Sequence, residues 1–141
     1  MYFYLFQQVL SKLLICGGKN TSGETDNCEV INLDSSSATT CKNPPNLPPA
    51  VYGAIGGLGH REKPIICGGN QNNGFSKSCY TFENNEWISS PNMNSVRIYA
   101  AAAQLQNGSL FVTGGFNGEG QTNSVEMLAE EEWESKIVNV R

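Results

Sequence analysis

Histidine is nearly absent: His60 is the only one in 141 residues. Catalytic zinc and copper centres draw on several His ligands. Ser–His–Asp and Cys–His catalysis needs a histidine held against its nucleophile. A single His in a loop-like stretch supplies neither, so no catalytic or metal residue is assigned. Basic residues are also few, 9 Lys and Arg against 13 Asp and Glu, for a net charge of −4. Without a basic patch, nucleic acid is a poor partner. The mild acidity favours solubility and names no substrate. Apolar runs stay far below the roughly 18 residues that span a membrane as a helix. The opening MYFYLFQQVL is apolar but lacks both a positive n-region and a small-residue cleavage site, which weakens a signal-peptide reading. Helical periodicity is confined to EMLAEEEWES, Glu126–Ser135.

What the chain does have is glycine, 15 residues of it, with Asn frequent beside Gly and Ser. These residues supply turns. Between them lie the short apolar runs LLIC, PIIC and LFVT, rich in β-formers and too short for helices. Each run ends in a glycine pair: Gly17-Gly18, Gly68-Gly69 and Gly114-Gly115. The second glycines are 69 − 18 = 51 and 115 − 69 = 46 residues apart, an internal repeat. Ten residues further on lie Cys28, Cys79 and Val125, each opening a short apolar strand. Eighteen further on lie Trp87 and Trp133, with Ser36 in the degenerate first unit. Pro45-Asn46-Leu47 matches Pro91-Asn92-Met93, Tyr52 matches Tyr99, and Leu58 matches Leu105.

Each unit therefore reads as four strands. Strand a is Val51–Leu58 or Ile98–Leu105, and strand b ends at the glycine pair. Strand c is Cys79–Phe82 or Val125–Leu128, and strand d begins near the Trp. Tyr2–Leu10 falls in the strand-a slot of the first unit, and the repeat overrules the helical look of Glu126–Ser135. An apolar strand, Gly-Gly, a second strand, a Trp and then an Arg-led strand of small residues resembles the Kelch repeat, with Arg97 where that family often carries its Arg.

The resemblance covers nearly the whole chain. It implies an all-β Kelch-type β-propeller fragment of three four-stranded antiparallel blades, at about residues 1–48, 49–95 and 96–141. Closed propellers have about four to eight blades, so the remaining ones are expected outside this chain, or self-association completes the ring. In such a fold strand a lines the crowded axis, where Gly53-Ala54, Gly56-Gly57 and Ala100–Ala103 provide small side chains. The glycine pairs turn the chain out of the sheet. Trp87 and Trp133 fill the wedge between blades.

Other motifs are weaker. No Gly-Lys-Ser/Thr follows the glycine pairs, and Gly53–Gly59 lacks the strand and helix of a dinucleotide loop, so no cofactor is implied. The acidic Glu130, Glu131, Glu132 and Glu134 read as a solvated turn before a cation site. Cys16 and Cys28 stand at the same offsets from their glycine pair as Cys67 and Cys79, and the third unit has Thr113 and Val125 there. The pairs should face each other on strands b and c. They read as two disulfides in an oxidising compartment, or as paired thiols in a cytosolic core. Cys41 is left over. The sequons at Asn20 and Asn107 fall in turns, where an acceptor must lie.

Loops on a rigid scaffold carry recognition. The b–c loops (Lys19–Asn27, Asn70–Lys77, Phe116–Ser124) and the d–a connections (Pro44–Pro49, Ser90–Ser95) emerge on one face. Phe75, Phe116 and Arg97 are its candidate contacts, Arg97 serving equally well as an internal buttress. The expected function is binding of a protein or glycan partner, secreted or on an extracellular face. Two alternatives come from other classes: the substrate-receptor propeller of a ubiquitin ligase, as in BTB-Kelch proteins, and a fragment of a galactose-oxidase-like enzyme. The single His counts against the latter, whose copper site uses two His.

Overall fold

The computed structural model describes residues 8–9, 12–33, 44–72 and 74–137. Cys41 and most of the Tyr2–Leu10 slot lie outside them. The described chain is all-β, with one short 3-10 turn at His60–Glu62. The first sheet contains β1 (Gln8–Val9) and β2 (Lys12–Cys16). A small hairpin follows, β3 (Lys19–Asn20) and β4 (Gly23–Glu24), and β5 (Cys28–Asn32) returns to pair with β2. A second sheet repeats the plan with β6 (Ile55–Leu58) and β7 (Pro64–Cys67), the hairpin β8 (Asn70–Gln71) and β9 (Gly74–Phe75), then β10 (Cys79–Glu83) and β11 (Glu86–Ser90). The third holds β12 (Ala101–Gln104), β13 (Leu110–Thr113), β14 (Val125–Ala129) and β15 (Glu132–Lys136).

The second and third sheets are simple antiparallel meanders in the order a-b-c-d. The first sheet has three strands among the described residues, and Ser36, where its strand d was expected to begin, lies outside them. Among the described residues the sheets do not close into a ring. The helix-like Glu126–Ser135 is a hairpin: β14 and β15 pair from Ala129↔Glu132 to Val125↔Lys136, and Glu130 turns with φ 56°. Cross-strand pairing wins over helical propensity because β14 buries Val125, Glu126 and Leu128 against neighbours that a lone helix would lack. No helix among the described residues is long and apolar enough to cross a membrane.

The second sheet is buried on both faces, which the two-residue period of a strand accomplishes within three residues of β7. Ile65 and Cys67 enter one cluster with Ile55, Cys79, Met93, Leu110, Val112 and Leu128. Ile66 faces the other way, into a cluster with Leu14, Cys16, Cys28, Leu47 and Val51. One cluster joins the second sheet to the third, the other joins it to the first. The strand-a elements β6 and β12 lie side by side, and Gly57 lets Leu110 approach. A Cβ on Gly57 would stand 2.5 Å from Leu110 Cδ1.

Each sheet grips the segment that leaves its predecessor. Trp87 Nε1 donates to Pro45 O at 3.0 Å, and Trp133 Nε1 donates to Pro91 O at 2.9 Å. The tryptophans thus do more than fill space between sheets. On the opposite side of the connection, Gly18 N donates to Val51 O and Gly69 N to Arg97 O, both at 2.7 Å.

Those two bonds correct the side-chain matching. Val51 and Arg97 are equivalent, 97 − 51 = 46 residues apart. The bridges Tyr52↔Asn70 and Ile98↔Phe116 keep the same offset. Tyr99 therefore corresponds to Gly53, not to Tyr52, and both have left-handed backbones, φ 57° and 65°. Leu58 corresponds to Gln104, which pairs with Leu110 as Leu58 pairs with Pro64. Identical side chains suggest one register and backbone hydrogen bonds impose another, one residue away. The a strands are also shorter than expected, because residues 51–54 and 97–100 are spent on docking.

Gly68 tests this grip. Its φ is +70°, and a Cβ there would meet Arg97 O at 2.5 Å. Gly68→Ala should cost about 1–3 kcal/mol, read as a fall in Tm of several degrees. Gly120→Ala, with nothing within 4 Å of the added Cβ, should leave Tm unchanged.

Candidate binding face

The three b–c loops are closed by the same two backbone bonds. Gly17, Gly68 and Gly114 donate to Asn27 O, Ser78 O and Ser124 O. Thr25, Ser76 and Thr122 donate back to Gly18 O, Gly69 O and Gly115 O. A hydroxyl then caps each exit: Thr25 Oγ1, Ser76 Oγ and Thr122 Oγ1 accept from the backbone N–H two residues on, at 3.0–3.2 Å. These three hydroxyls follow the 51- and 46-residue spacing of the glycine pairs and were legible in the sequence, but were not singled out there. The loops touch in series. Asn72 N donates to Glu24 Oε2 at 3.1 Å, and Phe75 packs on Phe116.

At the base of the first two loops stand disulfides, Cys16–Cys28 and Cys67–Cys79, each with Cα atoms 4.1 Å apart. This decides between bridges and free thiols in favour of bridges. The third loop has Thr113 opposite Val125, and there Arg97 does the fastening. Arg97 is fully buried. Its Nη1 donates to Gly114 O at 2.9 Å and Ser124 O at 3.1 Å, one carbonyl on each side of the loop. Its Nε and Nη2 donate to Glu126 Oε1 at 3.1 and 3.0 Å, and Nη2 reaches Ser124 Oγ at 2.7 Å. Glu126 also accepts from the backbone N–H groups of Asn94 and Ser95, so the buried carboxylate is well satisfied. In the slot equivalent to Arg97 the second sheet has Val51, part of the apolar cluster between the first two sheets. Arg97 was a candidate for the binding face; its burial instead makes it the buttress of the third loop.

Phe75 and Phe116 do stand on the face. They are 40% and 36% exposed, with ring centroids 5.5 Å apart, edge to face. A second aromatic group lies at the entries to strands a. Tyr52 and Tyr99 have centroids 6.4 Å apart, and Lys19 Nζ sits 4.7 Å above the Tyr52 ring. Tyr99 is 62% exposed. The residues therefore come from all three sheets. Asn20 is exposed at the end of β3, just before the turn, and Asn107 is exposed in a turn. Glu130 and Glu131 form an exposed turn, Glu132 opens β15, and Glu134 is paired with Lys136.

No protein-family model and no curated protein matches the sequence. Among solved structures the fold is similar to that of YjhT, with a TM-score of 0.76 at 15% identity. The match covers 92% of this chain and 44% of YjhT, so the chain spans less than half the length of that protein. At this identity the likeness is one of fold.

The fastening of the third loop yields a double-mutant cycle. Glu126→Ala strands a buried guanidinium and should cost about 3–5 kcal/mol. Arg97→Met with Glu126→Leu should cost clearly less than the sum of the single changes, as thermal denaturation of all four proteins would show. Peptide mapping under non-reducing conditions should recover Cys16 joined to Cys28 and Cys67 joined to Cys79. Each bridge closes a 12-residue separation, for up to about 3 kcal/mol by the chain-entropy model.

Proposed function

We propose that this chain is part of a Kelch-type β-propeller whose b–c and d–a loops bind a protein or glycan partner outside the reducing cytosol. The observation that carries the reading is the group of half-exposed aromatic rings, Phe75, Phe116 and Tyr99, held on one face by disulfides, a buried ion pair and repeated loop closures. Large rings fixed on a rigid frame lose little entropy on binding and make strong anchors. The repeat of glycine pair, Trp and Trp-to-Pro hydrogen bond supports the propeller assignment. So does the likeness to YjhT, whose remaining length has room for about as many sheets again. Two disulfides favour a secreted or extracellular protein over an intracellular ubiquitin-ligase receptor, since the cytosol keeps thiols reduced.

The test is a screen of the secreted protein against arrayed oligosaccharides and arrayed extracellular proteins. Phe75→Ala combined with Phe116→Ala should weaken the captured interaction at least about tenfold while circular dichroism and Tm hold. Unchanged affinity in that variant would refute the assignment of the face.

A further inference from the structure

The a–b turns of the second and third sheets share a backbone plan and differ in chemistry. Gly59 N donates to Lys63 O at 2.8 Å, and Leu105 N donates to Ser109 O at 2.9 Å. Leu105 follows Gly59 by 105 − 59 = 46 residues, the spacing of the last two glycine pairs. Between these ends the second sheet has His60, Arg61 and Glu62, and the third has Gln106, Asn107 and Gly108. The turn therefore closes without Asn, Gly or Ser at these positions, and Arg61 and Glu62 hold left-handed backbones there, φ 56° and 58°. The triplet Asn107-Gly108-Ser109 is peculiar to one copy. It fits the acceptor pattern for an N-linked glycan, Asn-x-Ser/Thr with x other than Pro.

The fold leaves that acceptor open. Residues 101–108 are all exposed, and a Cβ added to Gly108 would meet nothing within 4 Å. Asn107 Oδ1 accepts from Ser109 N at 3.1 Å, while Nδ2, the atom that carries a glycan, donates to no described residue. The turn joins β12 to β13, at the end of β13 remote from its b–c loop and Phe116. The other sequon is placed differently: Asn20 follows Lys19, whose Nζ lies 4.7 Å from the centroid of the Tyr52 ring on the binding face. Arg61, Glu62 and Lys63 bring charge to the second turn. Residues 101–109 carry none and expose Leu105 at 40%, so this end of the third sheet has the greater use for a bulky hydrophilic group.

Resting on the extracellular part of the reading above, we propose that Asn107 is a modification site that carries an N-linked glycan. In the transfer, Nδ2 forms a bond to the anomeric carbon of an oligosaccharide carried on a polyprenyl diphosphate. The bond from that carbon to the diphosphate breaks, the lipid diphosphate leaves with the bonding pair, and the amide nitrogen gives up one proton. No oxidant or reductant enters. The hydroxyl of Ser109 completes the acceptor pattern, yet Ser109 is only 6% exposed in the folded chain. Transfer therefore precedes closure of the turn, as the chain enters the oxidising compartment that joins Cys16 to Cys28 and Cys67 to Cys79.

The experiment expresses the full chain behind a cleavable secretory leader in animal cells, with Asn20→Gln so that a single sequon remains. Cell extract and medium are both collected, so a chain that folds poorly still reports. Gel mobility before and after peptide N-glycosidase digestion, with mass spectrometry of the peptide containing Asn107, reads occupancy. The expected result is a mobility shift that the enzyme removes and a glycan mass on that peptide. Ser109→Ala should abolish both, and Ser109→Thr should keep them. A bare Asn107, or a shift that survives Ser109→Ala, overturns the inference. Non-reducing peptide mapping of the same material separates it from the reading it rests on. Bare Asn107 with both cysteine pairs joined removes the glycan and leaves the extracellular reading standing, whereas bare Asn107 with free thiols removes both.

Discussion

Everything in the described structure hangs on how one sheet receives the segment leaving the sheet before it. A glycine N–H takes the carbonyl of Val51 or Arg97 from one side. The indole of Trp87 or Trp133 takes a proline carbonyl from the other. Between these two bonds the connection cannot drift, and Leu47 and Met93 are pressed into the two apolar clusters. Glycine is required at the first contact because its left-handed backbone and missing side chain let two main chains meet. The sheets are stacked by this device, and their own hydrogen bonds would not specify how they sit.

The same connection delivers the residue that distinguishes the third sheet. In one copy it is Val51, beside loops already closed by cysteine bridges. In the next it is Arg97, whose guanidinium spans the two carbonyls at the base of a loop with no bridge. The covalent fastening of the first two copies is thus replaced by an ionic one in the third. A guanidinium suits the task because its planar fork reaches two carbonyls and a carboxylate together. The cost of burying it is offset by Glu126, whose carboxylate is itself held by two backbone N–H groups of the connection. Loop, connection and strand are tied in a single polar knot.

A frame this firmly tied can hold exposed aromatics and a strained tyrosine where an isolated hairpin would collapse around them. Phe75 and Phe116 belong to different sheets, as do Tyr52 and Tyr99, so their spacing is a property of the stacking. A surface made this way derives from several weakly related loops, which fits a chain whose repeats share little beyond their framework residues.

The glycine pairs, the tryptophans and the matched cysteines were enough, in sequence, to establish the repeat, the all-β class, the hairpin over Glu126–Ser135 and the partners in both disulfides. These are local or periodic properties, and strand geometry carries them directly to cross-strand neighbours. The aromatic residues Phe75 and Phe116 were legible too, as apolar residues in polar loops. The register of strand a was not: the likeness of Tyr52 to Tyr99 is a likeness of side chains, and only backbone bonding between sheets sets Tyr99 against Gly53. The role of Arg97 was equally undetermined, because a charged residue before a small-residue strand can face solvent or the interior. Glu126, 126 − 97 = 29 residues away, decided it, since a guanidinium enters a core only where a carboxylate and free carbonyls are already waiting.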